Sequence, residues 1–323
     1  RATAVCLVLA SLFLTGAMLL YVPSANLVLL MMALSGVAFG FLYRQGQETP
    51  EGEVSRVGYM MSLALMVVLV ALAAWSAVAG TRRLVAEAYV GLGSVALAAG
   101  NVDEAIRLGE SARRTEEVGD TLRFAASAGA AKLQQLAADT TTLPTQLQQT
   151  FTARVQDTLA IAGKAQAKNP LDYRPIFIAA QVYDYLGQLR VTGAAAEARK
   201  AYVAAAALNP SSPQIPLLQA RLEAFENDAA AMEAHLQRSL TLKQNYTDAI
   251  LFVTQLAIAN NDIKTAVQGA QAAVQSAPGV PSLWFQLGLL LYSGGDTANA
   301  VPVLEQAVTL VPDYANAKYF LGL

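Results

Sequence analysis

The side chains able to do acid–base, nucleophilic or metal chemistry are few and scattered. His235, in AMEAHLQRSL, is the single histidine, and Cys6 is the single cysteine. One imidazole without thiolates cannot build a common zinc site, and any Ser-His or Cys-His pair would have to run through His235. Cys6 sits in an apolar run, so neither a disulfide framework nor a thiolate metal site is available. Gly91-Leu92-Gly93 superficially resembles part of a phosphate-binding loop, yet it falls within a helical pattern with no strand before it. Asp103-Glu104 and Glu116-Glu117 are adjacent acidic pairs, and a helix start, a turn or a solvated face accounts for each. No catalytic constellation follows, and no cofactor or metal is expected.

The elements that carry these residues fall into two parts. Hydrophobic residues make up 54% of the 323 and charged residues only 14%, against roughly 25% charged in an ordinary soluble protein. The deficit is concentrated in residues 1–80, whose only charges are Arg1, Arg44, Arg56, Glu48, Glu51 and Glu53. That part reads as membrane, and the part beyond it as a soluble domain. A net charge of -2 without a basic run gives no reason to expect nucleic acid as a partner.

Residues 2–22 contain no charge, and as a helix they would cover about 30 Å, the hydrocarbon thickness of a bilayer. PSAN makes a tight turn into a second apolar run, 27–43, and a third covers 59–80. Three transmembrane helices are therefore expected. A signal peptide fits less well, because the first run exceeds a normal signal core and another span follows at once. Tyr21, Tyr43, Tyr59 and Trp75 fall at or near the span ends, where amphipathic rings favour the headgroup layer. No charge lies inside a span, which argues against a transport pathway through this piece. An odd number of spans puts the 44–58 loop and the C-terminal part on opposite faces, while the arginines on either side leave the orientation open.

Beyond residue 80 the chain repeats itself in steps of about 34 residues. The last full copy has Trp284, Leu287, Gly288, Gly295, Ala300, Leu304, Ala307 and Pro312. Small residues at 288, 300 and 307 let two antiparallel helices cross closely, Gly295-Asp296 turns the chain between them, and Pro312 ends the second. One step back stand Ile250, Val253, Ala266, Ala270, Ala273 and Pro278, and a further step gives the degenerate set Ala220, Leu236 and Ser239. Ile176, Ala179, Ala180 and Tyr183 pair with Ala198, Tyr202, Ala205 and Pro210, whose offset of about six residues is assigned to a lengthened loop at GQLRVTG, 187–193. Tyr89, Leu92, Gly93, Gly100, Ala105 and Ala112 form the first copy, so GTRR leaves almost no linker after the third span. Between 119 and 170 the pattern weakens into a long helical pair joined by the polar segment DTTTLPTQLQQ.

This spacing closely resembles the tetratricopeptide repeat. The resemblance implies an α-solenoid over 81–323, about six repeats, irregular at 119–170 and cut in mid-helix at its end. The fold expected for the whole is all-α, three transmembrane helices followed by that solenoid. In tetratricopeptide proteins the first helix of each pair lines a concave groove for an extended peptide or a partner helix. The resemblance places Arg174, Phe177, Gln181 and Tyr185 there, then Leu217 and Arg221, then Leu251 and Gln255, then Phe285, Leu289 and Tyr292. The mixture suits an apolar ligand with a few polar anchors. The Lys and Asn cluster that some relatives use to hold a C-terminal carboxylate is not apparent, so chaperone-tail binding is not expected.

The chain is also similar to the C-terminal region of bacterial multispan membrane proteins related to O-antigen ligases and polymerases. The segments that carry this are TRRLVAEAYVGLGSVALAAGNVDEAI, KNPLDYRPIFIAAQVYDYLG, QNYTDAILFVTQLAIANNDIKTA and PDYANAKYFLGL. In the ligase family the glycan-transfer residues lie upstream of such repeats, and no position here matches them. Arg1 in place of Met and the ending inside the pattern lead to the expectation of a piece of a longer protein. The function expected is a non-catalytic scaffold in a bacterial cytoplasmic membrane, binding a protein or peptide partner. The alternative is an accessory tail of an enzyme acting on lipid-linked glycan, and self-association of the repeats stands beside partner binding.

Overall fold

The structure, a computed structural model, describes residues 56–138 and 144–322. The expected spans 2–22 and 27–43 lie outside the described residues. Among the described residues the chain is entirely α-helical, with no strand, and it divides into two compact units, Arg1–Lys168 and Asn169–Leu323.

The first unit contains α1 (Arg56–Ala98), α2 (Val102–Thr115), α3 (Gly119–Ala137) and α4 (Pro144–Lys168). Helix α1 runs unbroken for 43 residues, about 65 Å at the helical rise. The expected third span and the first repeat helix are therefore one element, and GTRR is helix rather than a junction. Nothing there stops a helix. No proline removes an N–H, and the Thr81 hydroxyl donates to the Val78 carbonyl at 2.9 Å. Among the residues described in full no helix is long and apolar enough to cross a membrane; several side chains between 59 and 73 lie outside that description. Helix α4 begins at Pro144, so PTQLQQ belongs to the helix and not to the polar connection. Proline suits this first turn, where its missing N–H has no intrahelical partner.

The second unit contains α5 (Tyr173–Gln188), α6 (Ala194–Leu208), α7 (Gln214–Phe225), α8 (Ala229–Leu242), α9 (Thr247–Ala259), α10 (Ile263–Ser276), α11 (Pro281–Ser293), α12 (Thr297–Leu310) and α13 (Ala315–Leu321). In both units consecutive helices pair as antiparallel hairpins, α1 with α2 through α11 with α12, and α13 follows singly.

The turns inside the hairpins share one mechanism. Gly100, Asn227, Asn261 and Gly295 each take positive φ, between 57° and 81°. The next residue, Asn101, Asp228, Asp262 or Asp296, caps the second helix through its side chain. In the third turn Asp262 N donates to Ala257 O at 2.8 Å and Asn261 N to Ile258 O at 3.0 Å. This is the Schellman pattern that satisfies the last carbonyls of the first helix. Glycine or asparagine tolerates the left-handed backbone, and Asn or Asp accepts the orphan N–H two or three residues on.

The α5–α6 hairpin departs from this. Arg190 holds the left-handed position at φ 61°, and Val191 and Thr192 stand between it and the Gly193 cap. Helix α5 is also 16 residues long, against 13 for α9 and α11. The extra residues expected in a lengthened loop are thus shared between almost one added helical turn and two residues of loop.

Close helix crossings carry the core. Ala105 and Ala112 of α2, Ala198 and Ala205 of α6, and Ala266 and Ala273 of α10 are all fully buried. A methyl added to Gly93 would lie 2.4 Å from Cζ of Phe124, which fills the angle between α1 and α3. One added to Gly288 would lie 2.6 Å from Leu304 Cδ2. These glycines are required by proximity, not by backbone conformation. Leu92 departs from its counterpart Leu287. Leu287 is buried against Ala270, Ala273 and Val274 of the preceding helix, whereas Leu92 is 60% exposed. No described helix precedes α1 to cover it.

Candidate partner-binding face

The sequence-predicted face lies on the first helix of each hairpin in the second unit. The hairpins are held in register by polar contacts that the spacing did not foreshadow. Asp184 of α5 is buried and accepts hydrogen bonds from Tyr202 Oη of α6 at 3.0 Å and from Gln188 Nε2 at 3.2 Å. Burial pushes its carboxyl above the usual aspartate range, and the two donors partly oppose that. The Tyr202 phenol is pushed far up by burial and by the neighbouring Asp184. Arg199 of α6 reaches across to α7, donating from Nε to Glu223 Oε1 at 2.7 Å and from Nη2 to Oε2 at 2.6 Å. Glu223 is only 4% exposed, so this two-pronged bond supplies the partner that a buried carboxylate needs. Arg190, from the irregular turn, stacks 4.3 Å from the Phe225 ring centroid and approaches Glu226 at 3.9 Å. Bulky Arg at a left-handed position is uncommon, and this docking onto the next hairpin gives it a reason.

On that frame the eleven predicted residues separate by burial. Phe177, Leu217, Leu251 and Phe285 stand at equivalent positions and turn inward. Leu217 is 2% exposed among Ala220, Leu236, Ala249 and Phe252, Leu251 packs on the α10–α11 core, and Phe177 meets Tyr202 edge-on at 6.1 Å. Phe285 packs against Tyr314 at 5.4 Å and Phe320 at 5.8 Å, joining α11 to α13. One helical turn further on stand Gln181, Arg221, Gln255 and Leu289. The first three are exposed and Leu289 is half-buried. Arg221 lies 5.6 Å from the Phe252 ring centroid, which orients its guanidinium. Tyr185 is half-buried, and burial pushes its phenol up. Tyr292 is 41% exposed and leans on Phe320 at 5.9 Å. Arg174 is held by its own helix cap, Nε to Asp172 Oδ1 at 2.8 Å and Nη2 to Oδ2 at 2.9 Å. The open part of this face is therefore a row of amide and guanidinium groups, more polar than the composition of the eleven suggests.

The residues considered for chemistry lie on helices and at a turn. Gly91 and Gly93 are interior to α1. Asp103 and Glu104 occupy the first turn of α2, where negative charge opposes the helix dipole; Asp103 also pairs with Lys132 at 2.6 Å. Glu117 meets Arg113 at 3.9 Å beside the α2–α3 turn. His235 is half-buried on α8. Among the described residues no three His, Cys, Asp or Glu side chains converge as a metal site.

The family model for the tetratricopeptide repeat matches residues 69–117 and 255–323. Those two stretches carry tetratricopeptide repeats. The first match opens inside the stretch expected as a separate span, in keeping with an α1 that continues through it. Among solved structures the chain is similar to pilF of Pseudomonas aeruginosa, at 16% identity and a TM-score of 0.48, covering 75% of this chain and 99% of that one. It is similar to PilW, described as a widely conserved type IV pilus biogenesis factor, at 14% identity and a TM-score of 0.48, covering 73% and 98%. YrrB, described as a tetratricopeptide protein with an unusual peptide-binding site, follows at 16% identity and a TM-score of 0.38, covering 61% and 92%. None of the curated proteins matches the chain. The similarity to ligase-related membrane proteins thus rests on the quoted segments alone.

Proposed function

We propose that this chain is a membrane-anchored tetratricopeptide scaffold that holds a protein partner beside a bilayer of the bacterial envelope, with no catalysis of its own. The observation that carries the binding half is the row Gln181, Arg221 and Gln255, exposed at equivalent positions of α5, α7 and α9 while the residues one turn before them are packed. Amide and guanidinium groups so spaced hydrogen-bond the main chain of an extended peptide, and Arg221 adds a site for an acidic side chain.

The anchoring half is supported by the start of α1. No charged residue stands between 59 and 80, and Val67, Val68, Leu72, Trp75 and Val78 are 40% to 65% exposed. Apolar helix left uncovered by protein is stable in hydrocarbon and costly in water.

The test is selection of binding peptides from a displayed random library by the detergent-solubilised chain, followed by Gln181→Ala, Arg221→Ala and Gln255→Ala together. The triple variant is expected to lose at least tenfold in affinity for selected peptides while keeping its helical signal. Unchanged affinity would remove this face as the binding site. Phe285 and Tyr292 are unsuitable for the purpose, because their rings pack against Phe320 and their loss would loosen α13.

A further inference from the structure

We infer that α1 pairs with α1 of a second copy of this chain, in parallel register, through an apolar seam that the single chain leaves open. Val78, Thr81, Val85, Ala88, Leu92 and Val95 follow one another at alternating steps of three and four residues. The pattern extends back through Ala74 to Ala71. Every one of these residues is exposed, Val85 at 46% and Val95 at 69%. Steps of three and four give the seven-residue repeat by which two α-helices wind around each other. Beyond residue 80 the exposed large apolar side chains of α1 are Leu84, Val85, Leu92 and Val95, and they fall within about 100° of the helix circumference. Arg83, Glu87 and Ser94 stand apart from them on another side.

The second unit shows what covers such a face. Ala88, Leu92 and Val95 correspond in the repeat to Leu283, Leu287 and Leu290 of α11, which are buried in one cluster with Ala266, Ala270 and Ala273 of α10. The cover there is a helix of 14 residues, about 21 Å long. The seam from Ala71 to Val95 is about 36 Å long, so a repeat helix of that size would leave much of it bare. Hydrocarbon does not account for its upper part, because Arg82, Arg83 and Glu87 stand at the level of Val85. A second α1 is a helix of sufficient length, and its seam is complementary to itself. No charge lies on the seam. Arg82 is drawn to the Thr115 carbonyl of α2 at 2.9 Å, Arg83 pairs with Glu87 at 3.1 Å, and the Thr81 hydroxyl already donates to the Val78 carbonyl. Two identical seams therefore meet without facing like charges or an orphan hydroxyl. Ala74, Thr81 and Ala88, with Gly91 beside them, let the two backbones approach closely. Valine at 78 and 85 suits a parallel two-stranded pair.

The pairing does not depend on the anchoring proposed above. The experiment uses the full chain solubilised in detergent, with its mass read by sedimentation equilibrium, and the wild type is expected to be a dimer. Val85→Glu with Leu92→Glu, and separately Val85→Lys with Leu92→Lys, should each weaken association at least tenfold. Helical circular dichroism should not change, since both side chains are exposed within one chain. Mixing the acidic and basic variants should restore a dimer. In a Cys6→Ser background, Ala88→Cys should give a disulfide-linked dimer on oxidation, whereas Ser94→Cys, on the polar side, should not. A monomeric wild type would overturn the pairing and leave the seam to another segment or a different protein. Variants that remain dimeric would overturn the seam as the surface of contact. A mixture that stays monomeric, or no cross-link at 88, would overturn the parallel register.

Discussion

Asp184 is buried where α5 meets α6, and its titration couples to the fold with a definite sign. Its carboxyl is held above the usual aspartate range by desolvation, so the native state binds its proton more tightly than the unfolded chain does. Its contribution to stability is complete below the unfolded aspartate pKa and is lost as pH rises through the raised one. Asp184→Asn keeps the acceptor for Tyr202 and cannot ionise. The difference in denaturation midpoint between wild type and this variant should therefore shift against the wild type as pH rises across the acid range. A difference independent of pH would show that the carboxyl is not perturbed. Residues of this kind were illegible in the sequence, because Asp184 and Tyr202 come from an irregular hairpin whose offset hides their pairing. Phe285 and Tyr292 were legible as residues of the first-helix face, and only the ring contacts with Phe320 reveal how they are packed.

At the scale of elements the turns are the most transparent feature. A residue able to take positive φ followed by Asn or Asp recurs at Gly100, Asn227, Asn261 and Gly295, and the last three fall on the repeat period. Gly295→Ala places a Cβ in a left-handed backbone and should destabilise the fold by about 1–2 kcal/mol in urea denaturation. Asn261→Gly should be neutral or slightly stabilising in the same measurement, since it keeps the turn and removes the Cβ. Equal losses from both would show that the turns depend on side-chain contacts. Helix α1 was less transparent. Apolar composition stops at residue 80 while helix propensity does not, so a change in composition read as a boundary between elements.

For the whole molecule the division after Lys168 is the main feature. Asn169–Asp172 connects α4 to α5, and Leu171 within it is 83% exposed. Each unit has its own buried contacts, so limited proteolysis with an enzyme that cuts after leucine should cleave first at Leu171. Both products should retain helical circular dichroism, and Leu171→Asp should suppress that first cut. Early cleavage elsewhere, or unfolding of either product, would argue that the units depend on each other.

The sequence by itself determined the helical repeat, because its period is written in small residues where helices cross and in turn residues where the chain reverses, and both are local requirements. It also led to the expectation that the repeats bind rather than catalyse, since His235 is the single histidine and Cys6 the single cysteine. Tertiary structure alone decided which residues of the first-helix face stay open. At each position that depends on whether a neighbouring hairpin supplies a covering side chain, as α13 does for Phe285 and as no described helix does for Leu92. It decided the continuity of α1 as well, because a helix continues wherever its hydrogen bonds can, whatever the composition of its two halves.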